Sequence, residues 1–174
     1  MPRIELKRAS EGDFECIEHL MQFYVYDLSE WLALELRADG RYPVQASARY
    51  LSQPATRSHL IYVNDELAGF VSTDAQTHHA EASHNLAYLF VARRFRRQGI
   101  GRRVVTALLR DLPGGWQIFH ITQNLAAAAF WKRVVPQLCG GEFSVHLEVI
   151  DHYECTLYLF NHEAVATCAF PTPV

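Results

Sequence analysis

The sequence predicts an α/β (α+β) domain, a mixed and mostly antiparallel sheet of six to seven strands with helices on both faces. Three observations predict it. Two pairs of β-rich runs flank short turn signals, Asn64-Asp65-Glu66 and Asp151-His152, which is the pattern of antiparallel hairpins. Two later segments carry apolar residues at helical spacing between strand-like runs, which reads as crossover connections. A length of 174 residues, 49% of them apolar and 20% charged, fits one globular domain that buries a real core.

The elements follow in order. Residues 3–7 alternate apolar and polar side chains and read as a strand. Ser10 offers a helix cap, and Phe14, Ile17, Leu20, Met21 and Tyr24 lay an apolar stripe along a helix to about Leu28. Residues 31–43 read as a helix fragment and a loop, and 46–51 as a short helix stopped before Pro54. Strands at 59–63 and 68–73 make the first hairpin; 78–84 is a polar loop and 85–92 a third, largely apolar strand. Gly99 opens a helix that Pro113-Gly114-Gly115 ends, and 117–122 is the next strand. Asn124 begins a helix through Val134, broken near Pro136, and strands at 142–150 and 153–160 close the core. One domain over 1–174 is expected, its core at about 3–160 and a short tail behind it.

Sixteen Lys+Arg against nineteen Asp+Glu leave a net charge of −3, which argues against a general nucleic-acid coat protein. Cys16, Cys139, Cys155 and Cys168 form no Cys-x-x-Cys pair, so reduced thiols are expected rather than a zinc ribbon or disulfide scaffold. The longest purely apolar run, 125–131, falls far short of the ~20 residues a membrane span needs. The first residues lack the apolar stretch of a signal peptide, so a cytoplasmic protein without a membrane partner is expected.

Charge is not spread evenly. Six of the sixteen cationic residues lie between Arg93 and Arg103, and no acid occurs from Ala82 to Arg110. There an apolar strand runs into a basic loop, then Gly99-Ile100-Gly101, then a helix. A helix start has unsatisfied N–H groups and a partial positive charge, glycines admit a phosphate to the backbone, and arginines add bidentate donors. A ligand with a pyrophosphate or several phosphates fits. Gly101 is followed by Arg102-Arg103 rather than Lys-Ser/Thr, and Val104 stands where a dinucleotide fingerprint needs glycine, so both of those motifs are disfavoured. Gly-x-Gly alone is equally compatible with a capped helix and a solvated basic face.

Arg96-Arg97-Gln98-Gly99-Ile100-Gly101 resembles the Arg/Gln-x-x-Gly-x-Gly/Ala signature of the GNAT acetyltransferase superfamily. Asn124-Leu125-Ala126-Ala127-Ala128-Ala129-Phe130-Trp131-Lys132 is similar to the family's Asn-x-x-Ala-x-x-Phe-Tyr-x-Lys helix, in the expected order behind it. The resemblance covers nearly the whole chain. It implies acetyl-coenzyme A as co-substrate, held where two parallel strands, 85–92 and 117–122, splay apart. It implies backbone contacts from Phe90 and Val91 to the pantetheine arm, and a pyrophosphate cradle from Arg96, Arg97, Gln98, Gly99, Ile100, Gly101 and Arg102. Asn124, Phe130 and Trp131 would line the cofactor's far side.

The implied reaction is direct acetyl transfer to an amine of a small molecule or peptide. Neutralising an alkylammonium of pKa around 10.4 at pH 7 costs roughly 4–5 kcal/mol, so a base or water chain is needed. An amide near Phe90 would stabilise the developing oxyanion. Trp131 stands where the family often has a tyrosine acid, and Asn85 where it often has a glutamate base. A thiol leaves tolerably without a dedicated acid, and proximity alone contributes several kcal/mol. Candidate catalytic groups are His120, either a base or a hydrogen-bonded core histidine, His84 beside Asn85, and Tyr88. Tyr24, Tyr26 and Trp31 are candidate walls of the acceptor pocket, with Asp27 or Glu30 to attract a cation and Asn85 as a further acceptor-binding residue. His78, His79 and His84, with Glu81 alone at ligand-like spacing, read as a solvated loop and not as a metal site. A non-catalytic acyl-coenzyme A sensor is the alternative, and a homodimer is compatible with the family. Binding of nucleic acid through residues 93–103 is the weakest reading.

Overall fold

The computed structural model describes residues 2–43 and 47–162. Residue 46, expected to start the second helix, and the expected tail beyond 162, with Cys168, lie outside them. The order is β1 (Ile4–Arg8), α1 (Phe14–Leu28), α2 (Ala48–Leu51), β2 (Arg57–Val63), β3 (Glu66–Asp74), β4 (His84–Val91), α3 (Ile100–Asp111), β5 (Gly114–Ile121), α4 (Leu125–Leu138), β6 (Ser144–Ile150) and β7 (Tyr153–His162). One seven-stranded sheet holds them in the order β1-β2-β3-β4-β5-β7-β6, and every neighbouring pair is antiparallel except β4–β5.

Both hairpins turn on two residues of positive φ, Asn64 (49°) with Asp65 (66°) and Asp151 (48°) with His152 (71°). That pattern matches the right-handed twist of the strands it joins. At the N-terminus, Ser10 and Asp13 cap each other. The Ser10 amide donates to Asp13 Oδ2 at 3.0 Å and the Asp13 amide to Ser10 O at 2.9 Å, across a 3₁₀ turn that leads into α1.

Alternation sorts the strand residues to two faces. Leu60, Phe70 and Phe90 meet Ile17, Met21 and Val25 of α1 and Leu51 of α2 on one face. Val71, Trp116, Ile118 and Tyr158 meet α3 and α4 on the other. A smaller cluster of Leu157, Leu159 and Cys155 lies under Ala82 of the β3–β4 loop. No helix among the described residues is long and apolar enough to cross a membrane. Cys16, Cys139 and Cys155 are free thiols.

Two expectations need correction. Residues 31–43 hold no helix: Leu32, Leu34 and Leu36 repeat every second residue, which gives no helical face. This segment is instead tied to α1 by Gln22, which exchanges two hydrogen bonds with the Tyr42 backbone. And α4 runs through Pro136 to Leu138, because a proline so near the end removes one amide from a turn that is about to stop anyway.

Candidate active site

Strands β4 and β5 pair only at His84↔Trp116 and Asn85↔Gln117, and beyond these two positions they separate. The cause lies in β4. Its register with β3 passes from Ser72↔Tyr88 to Thr73↔Leu86, so Ala87 is an extra, bulged residue. A bulge bends its strand and increases the twist, and here it falls where β4 leaves β5. The Ala92 amide donates to Ala68 O on β3. By alternation the Phe90 backbone also faces β3, which corrects its expected contact with a pantetheine arm; the polar groups of Leu89 and Val91 face the gap instead. The Phe90 ring packs with Phe70 at 6.2 Å between centroids, and the Arg96 guanidinium lies 5.8 Å above it.

At the open end of this gap the chain makes a tight turn into α3. Arg97 (φ 62°) and Gly99 (φ 75°) are both left-handed. The first costs a side-chain-bearing residue about 1–2 kcal/mol, the second costs glycine almost nothing. Among the described residues, no backbone N–H from 97 through 102 meets an acceptor; the first bond into the helix is Arg103 N–H to Gly99 O at 3.2 Å. A row of donors without acceptors among the described residues, at the positive end of a twelve-residue helix, can receive an anion. Gly101 has a different task. A Cβ there would stand 3.1 Å from the Phe130 ring of α4, so its missing side chain lets the two helices close.

The basic cluster is mostly committed to the protein itself. Asp27 of α1 receives Arg93 at 2.8 Å and Arg96 at 2.5 Å, and Arg96 Nε also donates to Val91 O at 2.7 Å. Arg94 pairs with Glu66, and Arg103 donates to Pro2 O. Arg97 alone among these arginines has no hydrogen bond or ion pair to the described residues. Burial works against the Asp27 charge, but hydrogen bonds from Arg96 and Arg93 more than offset it and hold Asp27 below the usual carboxylate range.

On the α1 side of the sheet three tyrosines converge. Tyr88 of β4 meets Tyr24 of α1 and Tyr50 of α2 edge-on, each at 5.7 Å between centroids. Loss of solvent pushes Tyr24 up to about 12 and raises Tyr88 and Tyr50 further, so all three phenols keep their protons. Beneath them runs a buried polar chain. Tyr50 donates to Asp74 Oδ2 at 2.6 Å, Asn85 Nδ2 to Asp74 Oδ1 at 3.0 Å, Gln117 Nε2 to Asn85 Oδ1 at 3.2 Å, and the His78 amide to Gln117 Oε1 at 2.7 Å. It crosses β3, β4 and β5 where the gap begins. Asp74, Tyr50 and Gln117 carry no signal in the sequence because only strand register brings them beside Asn85.

The remaining candidates are placed apart. Alternation puts His120 on the α4 side, with Trp116 and Ile118, across the sheet from the tyrosines. Its Nδ1 lies 2.9 Å from Ile121 O. A carbonyl can only accept, so Nδ1 carries the proton and Nε2, buried and without a partner among the described residues, carries the lone pair. Burial lowers the His120 pKa and keeps the ring neutral. His84 stands at the closed end of the gap, 3.2 Å from Pro113 O and packed on Trp116. Asn124 caps α4 by accepting from the Ala127 amide at 3.0 Å. Trp131 is buried in the α3–α4 core, and Phe130 abuts it edge-on at 4.7 Å. Tyr26 and Glu30 are exposed, and Trp31 is half-buried past the end of α1.

The comparisons agree with this fold. The profile of the Acetyltransferase (GNAT) family matches residues 20–135. An acetyltransferase from Thermus thermophilus superposes with a TM-score of 0.63 at 18% identity, over 91% of this chain and 96% of its own. The PaiA N-acetyltransferase from Thermoplasma acidophilum, in complex with coenzyme A, gives 0.62 at 11% identity over 92% and 99%. An aminoglycoside acetyltransferase in complex with coenzyme A gives 0.64 at 13% identity over 93% and 96%. No curated protein matches the sequence.

Proposed function

The chain belongs to the acetyltransferase (GNAT) family, and on that premise we propose that it moves an acetyl group from acetyl-coenzyme A to a primary amine of a small molecule or peptide. The observation that carries the reading is the run of unsatisfied amides at 97–102 beside a two-strand gap. Diphosphate oxygens would accept from those amides and from Arg97, the arginine of the cluster with no hydrogen bond or ion pair to the described residues. The edge of β4 offers Leu89 and Val91 to a pantetheine arm, although Val91 O already receives Arg96 Nε. When bound, the co-substrate supplies an acyl group activated as a thioester.

The acceptor enters from the tyrosine side. Tyr24 and Tyr88 give it an apolar wall with protonated hydroxyls, and the Asp74 carboxylate beneath them supplies the negative potential that favours an ammonium over a neutral group. His120 is the base this reading favours: it stands on β5 beyond the last pair with β4, so an amine from the tyrosine side would meet it through the open gap, and its neutral Nε2 has no partner among the described residues. Asn85 cannot titrate, and it holds Asp74 and Gln117 in line.

Calorimetry with coenzyme A tests the cradle, and release of thiol from acetyl-coenzyme A across a panel of polyamine, aminoglycoside and peptide amines tests the transfer. Binding with amine-dependent turnover is expected. Binding without turnover on any amine favours the acyl-coenzyme A sensor. Failure to bind coenzyme A overturns both.

A further inference from the structure

We propose that His79, His146 and Glu148 form a site for one divalent transition metal of the zinc class, which fastens the β3–β4 loop to the edge strand β6. One ligand atom from each residue lies within 4.8 Å of the other two. His79 Nε2 is 2.5 Å from Glu148 Oε1, and the two imidazole rings are 4.9 Å apart between centroids.

The placement follows from the fold. His146 and Glu148 are two apart on β6, so they share a face, opposite Leu157 and Cys155 of β7. His79 reaches them because its loop is pinned to β5 at both ends. The His78 amide donates to Gln117 Oε1 at 2.7 Å and the Ser83 amide to Gly115 O at 2.9 Å. Sequence spacing hides the group, since its first two members are 67 positions apart.

The chemistry suits a metal. Zinc takes imidazole nitrogen and carboxylate oxygen at about 2.0–2.2 Å. Donors around a tetrahedral ion therefore stand roughly 3–3.5 Å apart by that geometry, within reach of side-chain rotation from the observed spacing. Two imidazoles and one carboxylate favour zinc, cobalt or nickel over magnesium or calcium, which prefer all-oxygen shells. Ser144 Oγ lies 2.9 Å from His146 Nε2, the kind of outer partner that fixes which ring nitrogen faces a metal. All three side chains are half-buried, which leaves a fourth position open to water. A filled site would hold His78 against Gln117 and so steady the Asn85–Asp74 chain from one end.

Metal binding at these residues is independent of acyl transfer. Full-length protein stripped with a chelator is titrated with Zn²⁺ by calorimetry and followed by thermal melting, with Co²⁺ absorption as a spectroscopic readout. One equivalent is expected to bind, raise the melting temperature and give the visible bands of tetrahedral cobalt. His146→Gln and Glu148→Gln, each checked by circular dichroism for native fold, are expected to weaken binding about tenfold or more. Equal binding by these variants and the parent, or no binding, overturns the site and leaves a His79–Glu148 hydrogen bond. Should His146→Gln fail to fold, His79→Gln, in the loop, serves in its place.

Discussion

The Tyr50 hydroxyl donates to the Asp74 carboxylate at 2.6 Å, and this contact ties α2 to the end of β3 directly beneath Tyr88. Asp74 is 5% exposed, and it also accepts from the Gln76 amide and from Asn85. Removing the carboxylate strands three donors, one of them the buried Asn85 amide. Asp74→Ala is expected to lose about 3 kcal/mol in urea denaturation, and Tyr50→Phe about 1–2 kcal/mol. If Asp74 also draws the amine, Asp74→Asn raises KM for a cationic acceptor more than it lowers kcat. An unchanged KM would confine Asp74 to a structural part.

Gly99 is left-handed and open around its α carbon, so an added methyl group meets no neighbour, only an unfavourable backbone state. Gly99→Ala is expected to cost about 1–2 kcal/mol. Any relief of that strain turns the amides of Gly99 and Ile100, so coenzyme A affinity should fall with it. Melting with and without coenzyme A separates the two effects.

The extent of the sheet and the position of the arginine-rich glycine loop are legible in the sequence because both are local. Two-residue turns fix hairpins, and a strand followed by arginines and Gly-x-Gly fixes a loop and a helix start. What cannot be read depends on register. The Ala87 bulge leaves no mark in the residues Ala87-Tyr88-Leu89, yet it decides where the gap opens. Asp74 meets Asn85, and His79 meets Glu148, only through strand order. Asp27 reads as an acceptor residue on its helix, but the fold brings Arg93 and Arg96 to its carboxylate.

Arg97 and Arg94 are both exposed and three residues apart, yet Arg94 is paired with Glu66 and Arg97 with no described residue. Arg97→Ala is expected to weaken coenzyme A binding about tenfold, as loss of a charge-assisted phosphate contact would, and to flatten its salt dependence. Arg94→Ala is expected to change affinity and stability by less than about 1 kcal/mol, because an exposed ion pair contributes little. Equal losses from the two variants would show that general charge, not a placed contact, attracts the ligand.

Burial lowers the pKa of His120, so the unfolded chain takes up that proton more readily than the folded one. Stability from this group is therefore intact above the unfolded value of about 6.5 and declines as pH falls through it. His120→Leu is expected to flatten the loss of stability between about pH 7 and pH 5. The same variant should abolish thiol release while coenzyme A still binds. Retained turnover would remove His120 as the base and leave it a core histidine.

Asp27 has the opposite charge and reaches the same sign of pH dependence by another route. Arg96 and Arg93 hold its folded pKa below the unfolded one despite burial, so its contribution is present above the unfolded value of about 3.9 and lost as pH falls through the folded one. Because Arg96 also donates to Val91 O at the lip of the gap, protonating Asp27 loosens the arginine that borders the proposed coenzyme site. Asp27→Asn is expected to destabilise the protein at pH 7 and to show a shallower decline below pH 4 than the parent. Its coenzyme A affinity at pH 7 should resemble that of the parent at low pH. A variant with parental acid sensitivity would mean that the pair of ion bridges across α1 and the arginine loop does not hold in solution.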